Sequence, residues 1–165
     1  MPLHAPAASS RFSAAAQHYD HHARVQRHAA AHLWNWSQQL LGDSFEPLAC
    51  VDVGSGTGFL TEHLLARYPN TTTHAVDLAQ GMLDELQRKH PKANLKIHCM
   101  NGEDLAVEKL WVPSHSLLMS GMCAQWFVDL EGAIRKWLSV SNTLAFSILL
   151  DGSFHAWRAA HDETS

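Results

Sequence analysis

The sequence predicts an α/β protein built on a mostly parallel, doubly wound sheet. Short apolar, β-prone runs alternate with segments of helical periodicity along the chain. The run that begins at Leu48 leads into a glycine-rich turn, D-V-G-S-G-T-G, and a helical pattern follows that turn at once. The next β-prone run ends in an acid, Asp77. A strand, a glycine turn and a helix in this order form the first half of a nucleotide-type binding unit.

The glycine turn is spaced G-x-G-x-G, at Gly54, Gly56 and Gly58, with Asp52 two positions before it. Glycine permits a tight turn and lets the backbone approach a ligand, and the following helix offers free N–H groups. This spacing alone is a weak signal, because a glycine-rich turn occurs in many α/β proteins. Asp77 lies 19 residues beyond Gly58 and sharpens the interpretation. An acid at the tip of the second strand can accept both ribose hydroxyls of an adenosine.

The length of 165 residues corresponds to one domain, and 46% hydrophobic residues are enough to form a core. The net charge is −4. We expect a mobile tail at residues 1–10 and a single domain over 11–165, with amino-terminal helices at 11–42 and a core at 48–150. The acidic balance argues against a nucleic-acid partner. The apolar runs are too short to cross a bilayer, and the amino end lacks a signal core. The sequence therefore predicts a cytoplasmic protein without a membrane partner.

The spacing of the cysteines and histidines does not predict a metal site. Cys50, Cys99 and Cys123 are widely spaced and form no C-x-x-C, so we expect buried thiols in a reducing cytosol. Among 13 histidines, the pairs at 18 and 22 and at 28 and 32 could each share a helix face. Because no nearby cysteine or carboxylate completes a ligand set, solvated or partly packed histidines are the better interpretation.

Two helices are predicted before the first strand, at 12–22 and 24–41, as a lid or layer over the sheet. The second helix has an apolar stripe and a natural stop at Gly42; the stripe consists of Val25, Ala29, Leu33, Trp36 and Leu40. Later helices are predicted at 61–68, 82–89, 130–138 and 154–161. Strands are predicted at 48–53, 72–76, 95–100, 116–120 and 143–150, the last a continuous apolar run suited to a central strand.

The form of the glycine turn favours one class of binding protein. A dinucleotide fingerprint is G-x-G-x-x-G, whereas Gly58 follows Gly56 after a single residue here. The resulting D-x-G-x-G-x-G resembles motif I of the class I S-adenosylmethionine (SAM) methyltransferases. A methyltransferase is therefore favoured well ahead of a nicotinamide dehydrogenase.

Three further segments resemble the malonyl-[acyl-carrier protein] O-methyltransferases of biotin synthesis. Residues 12–26, FSAAAQHYDHHARVQ, look like the amino-terminal signature of that family, A-A-x-x-Y-x-x-H-A-x-x-Q. The tetrapeptide at 123–126, CAQW, is similar to the family's L-A-x-Q-W segment. Residues 149–154, LLDGSF, with Ala156-Trp157 and Asp162-Glu163, are similar to its segment after strand five. The resemblance runs from Phe12 to the end of the chain.

This resemblance implies a Rossmann-like class I methyltransferase fold with amino-terminal lid helices. It implies SAM as cofactor, with the binding residues Asp52, Gly54, Ser55, Gly56, Gly58, Asp77, Leu78, Met82, Asn101, Gly102 and Glu103. Asp52 either orients the SAM amino group or merely satisfies N–H groups of the turn. Asn101 stands where the family usually has an acid, and Glu103 or Asp104 could compensate. No metal is implied.

On the acceptor side, the resemblance implies Tyr19 as the catalytic-side residue, in the lid near the transferred methyl group. Its alternative role is a half-buried aromatic that pins the lid helix. Gln125 and Trp126 would line the acceptor channel, although a tryptophan there is otherwise more often core packing. The implied reaction methylates the free carboxylate of a malonyl thioester, which is already ionised at neutral pH and needs no general base. The implied partner is an acyl-carrier protein.

The chain also departs from the family. The loop before the fifth predicted strand reads S-V-S-N at 139–142 in place of K-P-G-G. Family members continue through two more strands, so we expect a sheet that lacks them and has an exposed edge. A dimer or a partner chain could cover that edge. A catalytically impaired SAM-binding or interaction module, or another small-molecule methyltransferase, remains open as an alternative.

Overall fold

A five-stranded parallel sheet forms the centre of the protein, in the strand order β3-β2-β1-β4-β5. The structure, a computed structural model, describes residues 5–106, 108–110, 112–150 and 152–153. The strands are β1 (Ala49–Val53), β2 (Thr72–Asp77), β3 (Leu95–Cys99), β4 (Leu117–Gly121) and β5 (Thr143–Ser147). The helices are α1 (Ala5–His22), α2 (Arg24–Leu41), α3 (Phe59–Arg67), α4 (Gln80–Lys89) and α5 (Leu130–Val140). Short 3-10 turns lie at Gly102–Asp104 and Ala124–Trp126.

Strand β1 is the point at which the chain changes direction across the sheet. The chain adds β2 and β3 on one side of β1, then crosses to place β4 and β5 on the other side. All of these neighbouring pairs are parallel. In such sheets a ligand crevice forms outside the carboxyl ends of the strands, where the strand order reverses. The sheet therefore places a cleft at the ends of β1 and β4.

Both faces of the central strands are covered. Every residue of β1 is buried, because helices pack on either side of it. One face packs Cys50 against residues of α2 and α3, including Trp34 and Leu64. The other packs Val51 against residues that include Trp137 of α5. Apolar burial on both faces explains why β1 reads as a near-continuous apolar run. The predicted α/β class with a parallel sheet is confirmed.

Helix α1 begins earlier than the sequence predicts. Residues 5–10 are helical, where a tail had been expected, and the helix runs without interruption to His22. Alanine has the highest helix propensity and proline is tolerated in a first turn, so the segment APAASS can extend the helix. Ser9 also fastens this extension, because its hydroxyl donates to the Leu78 carbonyl at 3.0 Å.

Helix α2 has the predicted bounds but presents a different face to the core. The expected stripe includes Val25, Trp36 and Leu40, which are 49%, 57% and 67% exposed. The face that is buried consists of Ala30, Leu33, Trp34 and Ser37. Apolar residues occur on both sides of this helix, so spacing alone could not choose between them. Trp34 decides the orientation by stacking on His63 and meeting Tyr68 edge to face.

Strand β5 lies at the edge of the described sheet, as expected for a sheet without two further strands, although its apolar run is of the kind that suits a central strand. Among the described residues it pairs with β4 alone, and all five of its residues are half-buried. The strand ends at Ser147, short of residue 150. Its apolar run reflects packing against α5 and α2 on its two faces. The last predicted helix, at 154–161, lies outside the described residues.

The other elements agree with prediction to within a few residues at each end. The cysteines do not all agree: Cys50 is buried, but Cys123 is half-buried and Cys99 is exposed. All three thiols are free. Within the residues that the structure describes, no helix is both long enough and apolar enough to span a bilayer.

Candidate functional site

An open cleft lies at the carboxyl ends of the central strands. Its walls come from the glycine turn after β1, the ends of β2 and β3, the segment after β4, and helix α1 above them. The structure brings twelve of the predicted site residues to this cleft: Tyr19, Asp52, Gly54, Ser55, Gly56, Asp77, Leu78, Met82, Asn101, Gly102, Glu103 and Trp126. Gly58 and Gln125 are not part of its lining.

The glycine turn needs glycine at each of its three positions, for more than one reason. Gly54, Gly56 and Gly58 have φ of +72°, +53° and +102°, which side-chain-bearing residues rarely adopt. A Cβ at Gly54 would overlap the Cys123 side chain. A Cβ at Gly58 would overlap Leu86, so Gly58 serves helix packing and does not face the cleft. The turn therefore follows a path that places its backbone directly against the cleft.

Asp77 holds the glycine turn in place from the end of β2. Its two carboxylate oxygens accept backbone N–H bonds from Gly56 and Ala79, each at 2.8 Å. Burial raises the pKa of Asp77, while the bonds from Ala79, Gly56 and Leu78 act in the opposite direction. Each carboxylate oxygen has two lone-pair directions, so accepting one N–H leaves capacity for a ligand hydroxyl.

Asp52 forms the floor beneath the turn and is 1% exposed. Its carboxyl group accepts a hydrogen bond from the Thr61 hydroxyl at 2.5 Å. Burial, reinforced by the nearby Asp77 charge, raises the pKa of Asp52 to about 7. The structure therefore gives Asp52 a partner in the side chain of Thr61 as well as a place on the cleft wall.

The segment after β3 resolves which acid faces the cleft. The Asn101 amide oxygen accepts from the Glu103 N–H at 3.1 Å and so caps the 3-10 turn. Glu103 lines the cleft, while its Oε1 accepts from the Asp129 N–H at 2.6 Å. Asp104 does not line the cleft and is 3.4 Å from the Lys136 ammonium. Of the two alternatives left open by the sequence, Glu103 is the one beside the cleft.

Aromatic side chains close the cleft from the lid side. Tyr19 stacks on Phe59 with ring centroids 6.2 Å apart, and Phe12 meets Tyr19 and Trp126 edge to face at 6.1 and 6.2 Å. Burial raises the pKa of the Tyr19 hydroxyl, and the negative charges of Asp77 and Asp20 raise it further. The hydroxyl therefore stays protonated at neutral pH and can donate a hydrogen bond.

Gln125 has a local role in this conformation. Its Nε2 donates to the Met122 carbonyl at 2.6 Å, and the side chain is absent from the cleft lining. Met122 itself has φ of +52°, a left-handed conformation that costs energy for a residue with a side chain. The Gln125 bond thus supports a strained turn at the end of β4.

Sequence reasoning missed Phe12 in the cleft lining, and it missed a charged cluster beside the cleft that centres on Asp20. Phe12 lines the cleft, and its signal was available, because it shares a helix face with Tyr19. The contacts of Asp20 with Thr57 and Lys89 join residues from three separate segments. Nothing in the local sequence pattern brings those three together.

The comparison with known families identifies the class of this protein. Residues 50–142, more than half of the chain, match the family described as the methyltransferase domain. The matched region contains the glycine turn, Asp77 and the segment after β3. The chain belongs to this methyltransferase domain family.

Several similar proteins are named as one particular kind of methyltransferase. The malonyl-[acyl-carrier protein] O-methyltransferase of Acetivibrio thermocellus is 34% identical over 139 residues, covering 82% of this chain and 47% of the relative. The protein of the same name from Priestia megaterium is 32% identical, covering 87% and 52%. The biotin biosynthesis bifunctional protein BioCD of Bordetella avium is 32% identical, covering 93% and 32%. The chain spans about half the length of the first two, and the predicted resemblance to this family is confirmed.

Solved structures support the fold. The plantazolicin methyltransferase BpumL, solved in complex with SAH, has a TM-score of 0.67 at 13% identity, covering 89% of this chain and 55% of that one. A SAM-dependent methyltransferase of Methanococcus maripaludis, described as putative in its structure report, has a TM-score of 0.59 at 17% identity, covering 78% and 58%. The fold is that of the class I methyltransferases, as predicted.

Proposed function

We propose that this chain carries the cofactor-binding part of a SAM-dependent O-methyltransferase that methylates the free carboxylate of a malonyl thioester on acyl-carrier protein. The relatives named above support the substrate. The observation that carries the proposal is the convergence on one cleft of the glycine turn, Asp77 and Asn101, which come from the ends of three neighbouring strands. Free cysteine thiols suit a reducing compartment, so we place the reaction in the cytoplasm.

The residues of the cleft fit SAM. Ser55 is 7% exposed, and its hydroxyl has no hydrogen-bond partner among the described residues although it belongs to a residue of the cleft lining. A buried hydroxyl without a partner is costly, so a ligand group that pairs with it would be favoured. Asp77 retains lone pairs for two ribose hydroxyls, and Leu78 and Met82 provide apolar wall.

Different residues of the cleft would contact different parts of SAM. Asp77 would accept the ribose hydroxyls, and the N–H groups at the amino end of α3 would face the amino acid part. Asn101 and Gly102 lie near the position expected for the adenine edge. The carbonyl oxygen of the Asn101 amide can face the adenine amino group, although it carries no charge. Asp52 would orient the amino group through the glycine turn.

SAM, when bound, supplies a methyl group activated by a positively charged sulfur. The acceptor carboxylate is ionised at neutral pH, so the chain needs no general base to activate it. The work of the protein is therefore to align the acceptor and to exclude water. Tyr19, protonated at neutral pH, would donate to a carboxylate oxygen and fix its direction. Phe12 and Trp126, whose rings are in contact, would close the cleft above the reacting groups.

Trp126 and Gln125 would contact the methyl acceptor. Trp126 lines the cleft and is 43% exposed, which suits a wall of the acceptor channel. Gln125 would reach the acceptor after releasing the Met122 carbonyl. The edge of β5 would be covered by a second copy or by another chain, because an open strand edge is a template for pairing.

The test is calorimetric titration of the chain with S-adenosylhomocysteine, followed by a methyl-transfer assay with malonyl-acyl-carrier protein. We expect one site per chain, and methyl ester formed on the malonyl carrier. Binding without transfer would support the alternative of a catalytically impaired module. Transfer to free small carboxylic acids, but not to the carrier, would support another small-molecule methyltransferase. A folded chain that does not bind would contradict the proposed function.

A further inference from the structure

Helix α1 lies along helix α4 and forms the roof of the cleft. Three polar contacts fasten α1 to the segment that runs from Leu78 to the end of α4. The Ser9 hydroxyl donates to the Leu78 carbonyl at 3.0 Å, and the Gly81 N–H donates to the Ser13 hydroxyl at 3.3 Å. The third contact is the ion pair of Asp20 with Lys89 at 3.1 Å. Of the three, the Asp20 contact also reaches the glycine turn.

Asp20 meets the glycine turn through Thr57, which stands between Gly56 and Gly58. The Thr57 hydroxyl donates to one carboxylate oxygen of Asp20 at 2.5 Å, and Lys89 donates to the other. Thr57 is 1% exposed, so its hydroxyl is shielded from water as a competing partner. Charge-assisted hydrogen bonds of this kind are about twice as strong as neutral ones.

Lys89 completes the cluster and leaves no donor unused. Its ammonium group donates to the Thr57 carbonyl at 2.7 Å and pairs with Glu62 of α3 at 2.9 Å, in addition to Asp20. An ammonium group has three N–H donors, and all three have partners here. Burial alone would raise the pKa of Asp20, but the bonds from Thr57 and Lys89 lower it, so the carboxylate is ionised at neutral pH. The lid, the turn and two helices therefore meet at one charged cluster.

The glycine turn is thus held from two sides. Asp77 binds the Gly56 N–H from the end of β2, and Asp20 binds the next residue, Thr57, from the lid. Neither Asp20 nor Lys89 lines the cleft, so they act on a ligand through the turn and the lid. Tyr19, the neighbour of Asp20 in the chain, does line it. Holding Asp20 therefore also fixes the approach of Tyr19 to the cleft.

We propose that Asp20 is a positioning residue that latches lid helix α1 to the glycine turn through Thr57 and Lys89, and thereby slows release of the cofactor. The part that concerns the cofactor rests on the proposed function, whereas the latch itself does not. Opening the latch frees the lid and one anchor of the turn together. Cofactor loss should consequently be faster in a variant that cannot form it.

The test uses Asp20→Asn, which keeps the shape and removes the charge. Amide hydrogen exchange of the unliganded protein should show protection of residues 9–22 lowered by roughly tenfold, with the protection of β1 unchanged. The dissociation constant for S-adenosylhomocysteine should rise by roughly 5- to 20-fold, mostly through a faster dissociation rate. A merely structural loss would lower the protection of β1 as well.

Three further variants serve as controls for the effect of Asp20→Asn. Thr57→Val removes the hydroxyl at constant shape, so it should lower the protection of residues 9–22 and raise the dissociation constant as Asp20→Asn does. Thr57→Ser keeps the hydroxyl and should give values close to those of the wild type. Arg88→Gln is the matched control on α4, because Arg88 pairs with Glu85 at 2.6 Å and does not contact the turn. It should leave both measurements at the wild-type values.

The latch is overturned if Asp20→Asn leaves the exchange of residues 9–22 at the wild-type rate, whatever happens to binding. It is also overturned if the exchange changes and the dissociation rate of a binding-competent chain does not. If the wild-type chain fails to bind S-adenosylhomocysteine, the proposed function fails, while hydrogen exchange of the unliganded protein still decides whether Asp20 holds the lid. The two ideas therefore fail separately.

Discussion

The two sides of the cleft differ in how completely their groups are held. On the side of β1 and β2, Asp52 is almost fully buried and Asp77 is bonded to the glycine turn, so the turn is fixed before any ligand arrives. On the side of β4, Trp126 lines the cleft and is 43% exposed. The proposed cofactor side is therefore preorganised, whereas the proposed acceptor side is more open within the described residues.

The largest effect should come from the strongest contact on the cofactor side. Asp77→Ala removes the proposed acceptor of the ribose hydroxyls and leaves the Gly56 and Ala79 N–H groups without their carboxylate partner. We expect the dissociation constant for S-adenosylhomocysteine to rise by roughly 1,000-fold. Calorimetry would measure it, with Asp104→Ala as the matched control, because Asp104 lies outside the cleft lining. Similar losses in both variants would contradict a special role for Asp77.

A second prediction separates conformational strain from steric overlap within the turn. Gly54→Ala meets both, because φ is +72° and the new methyl group overlaps Cys123. Gly56→Ala meets strain alone, because φ is +53° and no atom lies within 4 Å of the new methyl group. We expect losses in the free energy of unfolding of roughly 2–4 kcal/mol and about 1 kcal/mol, respectively. Urea denaturation would measure both, and equal losses would show that overlap with Cys123 does not matter.

The third prediction uses the buried carboxyl group of Asp52. Its pKa rises from 3.8 to about 7 on folding, so the folded chain favours the protonated form. The stabilisation that this gives is complete below pH 3.8 and is lost as the pH rises towards 7. Asp52→Asn is neutral at every pH. Its stability relative to the wild type should therefore increase by roughly 1–3 kcal/mol between pH 5 and pH 8.

Denaturation by urea at several pH values would measure this change. Thr61→Val serves as a companion variant, because it removes the hydrogen bond that the Thr61 hydroxyl donates to Asp52 and keeps the carboxyl group. That bond lowers the pKa of Asp52, so its loss should extend the fall in stability to higher pH. A stability difference between Asp52→Asn and the wild type that stays constant with pH would contradict a raised pKa at this position.

The smallest effect should come from the acceptor side. Trp126→Ala removes an exposed ring that meets Phe12, but no contact to the glycine turn. We expect less than a roughly threefold change in the dissociation constant for S-adenosylhomocysteine, and a clear loss of methyl transfer to the malonyl carrier. Separate binding and transfer assays would show this. Equal losses in the two assays would mean that the two sides of the cleft are not distinct.

Much of this arrangement could be predicted from sequence, because it depends on local pattern. The glycine turn, the strand that precedes it and the acid at Asp77 are each specified by a few adjacent residues. The bounds of α2 follow in the same way from its periodicity and from Gly42. The other predicted residues that line the cleft, such as Tyr19, Asn101 and Trp126, came from the family resemblance and not from spacing alone.

The parts that could not be predicted depend on contacts between distant segments. The predicted inward face of α2 was wrong in part: Leu33 is buried as expected, but Trp36 is exposed. Trp34 is buried in its place, because it packs on His63 and Tyr68 from a distant segment. The apolar run of β5 does not by itself specify an edge position, which depends on strand order. Asp20 and Lys89 are 69 residues apart in the sequence, so no local pattern predicts their ion pair.

The absence of a side chain at Gly81 lets helix α1 approach helix α4 closely. A Cβ at that position would lie 2.6 Å from the Ser13 carbonyl oxygen, so the backbone of α1 rests directly on α4 there. Alanine is otherwise a better helix former than glycine, and α4 itself would tolerate it. The added methyl group would therefore push α1 away from α4. Gly81→Ala offers a route to a propped-open form, suited to loading bulky cofactor analogues that the closed roof would exclude.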